Sequence, residues 1–306
     1  MIIAVASGKG GTGKTTVATS LALAISELSP LVLDCDVEAP NAHIFLQPEF
    51  DQRREVSLPI PMVDEKRCTG CGRCAEICQY HAIVSVAKKV LVFPQLCHGC
   101  GSCALQCPEK AITEAPRVLG VLEAGPAKSG VRFARGVLNV GEPMAVPVIR
   151  ELKKWQLVQN GDTVIIDASP GTSCPVVESV RGADFVLLIT EPTPFGLHDL
   201  RLAVTLTREL DLPVGVVINR DGVGNTDVLD YCQKSDLPIL MRIPLERSIG
   251  EAIARGLTMV EAFPEYIPRF RHLYDQILSS CKNRADSIQT SIIETQSPRS
   301  DKARSL

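Results

Sequence analysis

Ile2-Ile-Ala-Val-Ala-Ser-Gly8-Lys9-Gly10-Gly11-Thr12-Gly13-Lys14-Thr15-Thr16-Val17 is the stretch that decides the fold. Its first five residues form a short apolar run, the pattern of a buried strand. The glycine-rich turn that follows satisfies G-x-x-x-x-G-K-[ST], and Val17, Leu21, Leu23, Ala24 and Ile25 then recur at helical spacing. Strand, motif and helix in that order are the context a phosphate-binding loop requires. Gly8, Gly10, Gly11 and Gly13 free backbone N–H groups to turn inward, and the helix N-terminus adds partial positive charge. Lys14 is expected to reach the β- and γ-phosphates of ATP and the Thr15 hydroxyl to ligate Mg²⁺, with Thr12 and Thr16 completing the nucleotide-binding stretch.

Outward from this loop the chain keeps an α/β rhythm. Leu31-Val-Leu33 is a second short strand ending in Asp34-Cys-Asp36. Val164-Ile-Ile166, Phe185 to Ile189 and Val214 to Ile218 are further strands, with helical patterns such as Leu197 to Leu210 between them. Strands alternating with helices predict a doubly wound, mostly parallel α/β sheet. The 306 residues, 45% apolar but only 4% aromatic, suit an aliphatic core and exclude wholesale disorder. A net charge of −3 gives no global attraction to nucleic acid, and no apolar run is long enough for stable membrane insertion. The N-terminus runs straight into the glycine loop, leaving no room for a signal peptide, so a cytoplasmic location is expected. From Asn283 to Leu306 the sequence is polar and predicts a disordered tail.

Eight of the twelve cysteines fall between Cys68 and Cys107. In a long chain without a secretory leader, such clustering points to metal and not to disulfides. The block is an internal repeat: Cys68-Thr-Gly-Cys71-Gly-Arg-Cys74-Ala-Glu-Ile-Cys78 returns as Cys97-His-Gly-Cys100-Gly-Ser-Cys103-Ala-Leu-Gln-Cys107, 29 residues later. Ala82-Ile83 and Ala111-Ile112 keep the same offset, so the copies are expected to form a pseudo-twofold pair. Two runs of C-x2-C-x2-C-x3-C resemble the bacterial ferredoxin pattern, in which the fourth cysteine of each run serves the other cluster. That resemblance assigns Cys68, Cys71, Cys74 and Cys107 to one 4Fe-4S cluster and Cys97, Cys100, Cys103 and Cys78 to a second. Zinc also takes four thiolates, but two evenly spaced quartets fit it poorly. Cys78 is followed by Gln79 where the full pattern has proline, as Cys107 has Pro108. His98 reads as a loop residue.

Lys9, an additional early lysine, gives the loop a second resemblance, to the deviant phosphate loops of the MinD/ParA superfamily, which includes the nitrogenase iron protein. The resemblance implies an ATP-dependent homodimer in which Lys9 reaches the partner's nucleotide. It also implies that Asp36 orients the attacking water and that Asp167 holds Mg²⁺ at the start of a switch, Asp167-Ala-Ser-Pro-Gly171. Asn219 resembles the family's adenine-reading asparagine and Pro244 the lip of that pocket. Strand-end Asp and Asn also occur simply as caps and turn residues. Cys174 matches a cluster-ligating position of the iron protein, yet one cysteine per subunit is too few for a bridging cluster. It reads instead as a buried structural thiol, and Cys35, Cys232 and Cys281 as apolar fillers.

The whole is similar to MinD-superfamily ATPases carrying an inserted α+β ferredoxin domain. The expected layout is an ATPase domain over 1–56 and 116–282, the insert over 57–115, and the tail over 283–306. The function this implies is ATP hydrolysis coupled to electron transfer through two 4Fe-4S clusters toward a partner protein. An iron–sulfur or metal-cofactor assembly ATPase is the alternative, lowered by the lack of a C-x-x-C pair outside the block. A spatial organiser of the MinD/ParA kind is a third. It would need the Ile267–Cys281 stripe as a membrane helix, whereas such a stripe ordinarily packs on its own core.

Overall fold

The computed structural model describes residues 1–155 and 161–296, with side chains described as far as Arg284. Eleven strands occur among them. In chain order they are β1 (Ile2–Ala6), β2 (Leu31–Asp34), β3 (Gln52–Val63), β4 (Ile83–Val86), β5 (Lys89–Val92), β6 (Ile112–Pro126), β7 (Arg132–Leu138), β8 (Val164–Asp167), β9 (Phe185–Thr190), β10 (Val214–Asp221) and β11 (Ile239–Pro244). The chain packs as two compact units, one from the described residues of 1–32 and 160–306, the other from those of 33–159.

The first unit holds parallel strands in the order β11-β10-β9-β1-β8. β1 lies centrally, with Ile3, Ala4 and Val5 wholly buried. Strands shielded on both faces favour continuous apolar runs over alternation, and the six residues of β9, Phe-Val-Leu-Leu-Ile-Thr, are all buried. The register sets Val5 opposite Asp167, which brings that carboxylate to the strand end from which the glycine loop springs. The helix Lys14–Ala24 returns the chain, and Leu31 N–H at the start of β2 donates to Thr163 O at 2.9 Å.

The last helix, Ile267–Gln296, buries Phe270, Leu273 and Ile277 completely. Arg271 of the same helix donates to Ala24 O at 2.8 Å and pairs with Glu27 at 3.1 Å. The apolar stripe is therefore committed to its own core. This helix also corrects the expected tail: 283–296 continue it, because no glycine or proline interrupts the sequence between Pro268 and Pro298 and a nucleated helix propagates cheaply. Residues 297–306 lie outside the described residues. Among the described residues no helix is long and apolar enough to cross a membrane.

The second unit is wider than the 57–115 insert expected from the cysteine spacing. Its frame is antiparallel, β7-β6-β3, with β3 paired to β6 from Gln52↔Ala124 to Val63↔Ile112. Pro59 and Pro61 are tolerated because β3 is an edge strand, and Pro116 lies in the part of β6 that β7 does not reach, since that pairing begins at Gly120. β4 and β5 form a separate two-stranded sheet between the cysteine runs.

Candidate functional site

In the first unit, Gly13 caps the helix Lys14–Ala24 at φ 95°, in the left-handed region that favours glycine. Its carbonyl accepts from Val17 N–H at 3.0 Å. Lys14 and Thr16 are buried and Thr15 half-buried at the helix start. Thr12 Oγ1 is buried with no hydrogen-bond partner among the described residues, and a Cβ added at Gly10 or Gly11 would meet nothing within 4 Å. An unsatisfied hydroxyl beside open space at a helix N-terminus fits a phosphate group. Asp167 is 1% exposed at the end of β8. The segment after it is tied to the loop, Ala168 N–H donating to Val5 O and Gly171 N–H to Ser7 O, each at 3.0 Å.

Two residues of β10 and one just past β9 brace the loop from the side. Asn219 donates through Nδ2 to Thr12 O at 2.8 Å, so its amide holds the loop backbone. Arg220 reaches Gly11 O at 3.3 Å and Glu191 Oε1 at 2.7 Å, while Lys9 Nζ lies 3.2 Å from Glu191 Oε2. Glu191, 6% exposed, thus joins Lys9 to Arg220. Sequence reading missed both Glu191 and Arg220; the only local signal was a carboxylate just past the apolar run of β9. Beside them a cavity is lined by Arg220, which follows Asn219, and by Leu245 and Glu246, which follow Pro244, but not by Asn219 or Pro244 themselves.

Asp36 belongs to the second unit and is half-buried. Asp34, fully buried, accepts from the N–H groups of Asp36, Asn41 and Ala42 at 3.0–3.2 Å, a structural clamp on the turn and on the helix Ala42–Leu46. Cys174 is exposed, which corrects the buried-thiol reading: it is the first residue of a short helix, where a side chain projects from the end and not from a packed face. Cys35 and Cys232 are buried fillers as expected, and none of the twelve cysteines is in a disulfide.

The cysteine repeat folds twice in the same way. Gly72 at φ 81° caps a short helix Arg73–Glu76, and Gly101 at φ 74° caps Ser102–Leu105. Ala82 N–H donates to Cys78 Sγ and Ala111 N–H to Cys107 Sγ, both at 3.3 Å. The copies also exchange backbone bonds, Asp64 N–H to Ala111 O at 2.8 Å and Phe93 N–H to Ala82 O at 2.7 Å. Each bond maps onto the other under the 29-residue offset, which is pseudo-twofold symmetry.

Two cavities follow. One is lined by Cys68, Cys71, Cys74 and Cys107, the other by Cys78, Cys97, Cys100 and Cys103, and they are alike in size at ≈ 20 Å³ each. Each takes three cysteines from one run and the fourth from the other. Among the described residues no three His, Cys, Asp or Glu converge on a point suited to a single metal ion. The thiols of each quartet line one space and N–H groups bond the sulfurs of Cys78, Cys97 and Cys107, a donor set that fits a thiolate-held group. Burial pushes the thiols of Cys74, Cys97 and Cys103 above the ordinary cysteine value, so taking up metal requires them to shed protons.

The chain resembles known proteins along most of its length. An uncharacterised protein of Methanocaldococcus jannaschii is 32% identical over 270 residues, covering 87% of this chain and 92% of the relative. An iron–sulfur cluster carrier protein of Aquifex aeolicus is 25% identical over 86% of this chain and 63% of its own length. Among solved structures, the septum site-determining protein MinD from Pyrococcus horikoshii, complexed with Mg-ADP, superposes with a TM-score of 0.55 at 20% identity, covering 90% of this chain and 95% of that one. Residues 3–259 match the model of a nucleotide-binding domain that starts at β1 and takes in the glycine loop and Asp167. The chain belongs to the CobQ/CobB/MinD/ParA nucleotide-binding domain family.

Proposed function

We propose that this MinD/ParA-family ATPase is an iron–sulfur protein in which a nucleotide switch governs electron transfer through two 4Fe-4S clusters to a partner protein. The observation that carries the reading is the pair of cavities, each lined by a quartet that crosses between the two cysteine runs. The clusters, when bound, supply one-electron chemistry. The protein's part is to present thiolates from Cys68, Cys71, Cys74 and Cys107 around one cavity and from Cys97, Cys100, Cys103 and Cys78 around the other. The backbone N–H groups of Ala82 and Ala111 then draw charge from the flanking sulfurs.

At the nucleotide, Lys14 and the helix N-terminus neutralise phosphate charge, and Thr15 and Asp167 hold Mg²⁺. Asp36 orients the attacking water. Lys9 completes the site in a homodimer by reaching the partner's nucleotide, and Asn219 with Pro244 borders the base. Asp167 to Gly171, bonded to Val5 and Ser7, is the segment through which the phosphate state is felt. A cytoplasmic setting accords with the thiol-rich composition.

A second reading, a carrier that hands clusters to apo-proteins, is favoured by the relative named as an iron–sulfur cluster carrier. One experiment separates the two: protein purified without air is assayed for iron, for the EPR signal of its reduced form, and for ATPase rate in both redox states. The electron-transfer reading expects about eight irons per chain, two four-iron clusters, and an ATPase rate that changes on reduction. An unchanged rate together with transfer of clusters to an apo-acceptor favours the carrier. Iron far below that level overturns both.

A further inference from the structure

The 29-residue repeat matches most of the residues that line the two cavities, and it departs at several of the others. At one pair of equivalent positions the first cavity has Thr69 and the second His98; at another the first has Glu109 and the second Tyr80. Tyr80 and His98 stack on each other, ring centroids 3.7 Å apart and planes 12° from parallel. Tyr80 is still 42% exposed, so the pair has an inner face on the cavity and an outer one on water. Pro59 and Pro61 line the same cavity, whereas the equivalent positions beside the first are Lys88 and Val90, of which only Val90 reaches it. The second cavity is therefore lined by the two aromatic rings and two prolines, with Glu114 beside them. The first has Thr69, Arg73, Glu109 and Pro108 and no aromatic ring.

We infer that the two quartets are inequivalent sites. The Tyr80–His98 stack is a lid that shields whatever the second quartet holds, and the first quartet, which has no such stack beside it, is the faster-exchanging site. The inference rests on the cluster reading above and extends it by assigning retention to one site and lability to the other. Tyr80 and His98 act as positioning residues: the stack hinders the approach of water, oxygen or a chelating anion to the cysteines, while Glu109 and Thr69 put no ring in that path.

The test uses the full chain, reconstituted without air with iron and sulfide, and follows release of Fe²⁺ to bathophenanthroline disulfonate. The wild type is expected to release iron in two phases of equal amplitude. Cys71→Ser should remove the fast phase and Cys100→Ser the slow one. Importing the first site's residues, Tyr80→Glu with His98→Thr, should speed the slow phase by ~10-fold or more, the scale on which groups around a metal site alter its retention. Tyr80→Phe keeps the stack and should leave that phase in place. The converse pair, Thr69→His with Glu109→Tyr, should slow the fast phase, and circular dichroism checks that each variant is folded. Full iron loading with a single release phase, or a slow phase that survives Cys100→Ser, overturns the inference. Failure to bind iron and sulfide at all overturns the cluster reading instead, so the two failures are distinguishable.

Discussion

Glu191 offers a quantitative test of how the phosphate loop is held in the nucleotide-free protein. Its side chain is 8% exposed and its two oxygens each face one cation, Arg220 at 2.7 Å and Lys9 at 3.2 Å. The cations are wetter, 52% and 33% exposed. Exposed ends of an ion pair regain water when the partner is removed, whereas a buried carboxylate left alone does not. Glu191→Gln keeps the shape and one acceptor, which can serve Arg220, and abolishes the buried charge; its NH2 then faces Lys9, which is wet enough to turn to solvent, so the change should cost about 1 kcal/mol. The double variant Lys9→Met, Arg220→Met leaves the carboxylate uncompensated and should cost about 3–5 kcal/mol. For a unit of this size about 1 kcal/mol corresponds to roughly 2–4 °C in melting temperature, so the two variants should separate by several degrees. Thermal melts without nucleotide are the assay, and Glu191→Gln added to the double variant should recover most of the loss. If Glu191→Gln alone is as damaging as the double variant, the carboxylate is not the costly member and the reasoning fails.

Gly13→Ala places a side chain at φ 95° and drives it into the Asn219 amide, so it should lower stability by more than the ~1–2 kcal/mol of a left-handed residue; Gly10→Ala, facing open space, should melt as the wild type does. Burial pushes the Cys232 thiol up to about 11 from 9.0. A raised value in the folded state stabilises fully below pH 9 and is lost as pH rises through 11, so about 2–3 kcal/mol should disappear across that window, a drop that Cys232→Ala should not show, as urea titrations at each pH would reveal. Arg117 donates to both oxygens of Glu142 and to Pro94 O at 2.7 Å, tying the turn before Cys97 to the loop after β7. Arg117→Ala should cost about 1–3 kcal/mol and speed amide exchange in 94–97 and 139–142 together.

The parts of the site that the sequence reveals are those whose chemistry is local. A phosphate loop needs its glycines, Lys14 and Thr15 within one turn of chain, and a cysteine run needs its thiols two or three residues apart, so spacing alone exposes both. Glu191 meets Lys9 only because β9 lies beside β1, and nothing in a linear reading brings those positions together. β3 was hidden for a different reason. Pro59 and Pro61 argue against a central strand, and only knowledge that the strand is an edge removes the objection. The final helix was under-read beyond Asn283 because polar composition resembles disorder, while helix continuation depends on the packed turns before it. Cys174 was misplaced since a cysteine's burial is decided by the helix end it occupies, which composition does not report.

The crossing of the quartets bears on how the second unit can fold. Neither run closes a cavity by itself, because Cys107 completes the first and Cys78 the second. The backbone exchanges obey the same logic: Asp64 needs Ala111, and Phe93 needs Ala82. A single repeat would therefore leave a backbone donor, a backbone acceptor and a sulfur without their partners, each costing what an unmet buried polar group costs. The two copies must order together, with β3 and β6 bringing Val63 opposite Ile112 to hold the ends of the block in register. Divergence is then cheap only where a side chain lies on a rim and takes no part in the exchange. Thr69 and His98, or Glu109 and Tyr80, are such positions, and it is there that the two halves have become different.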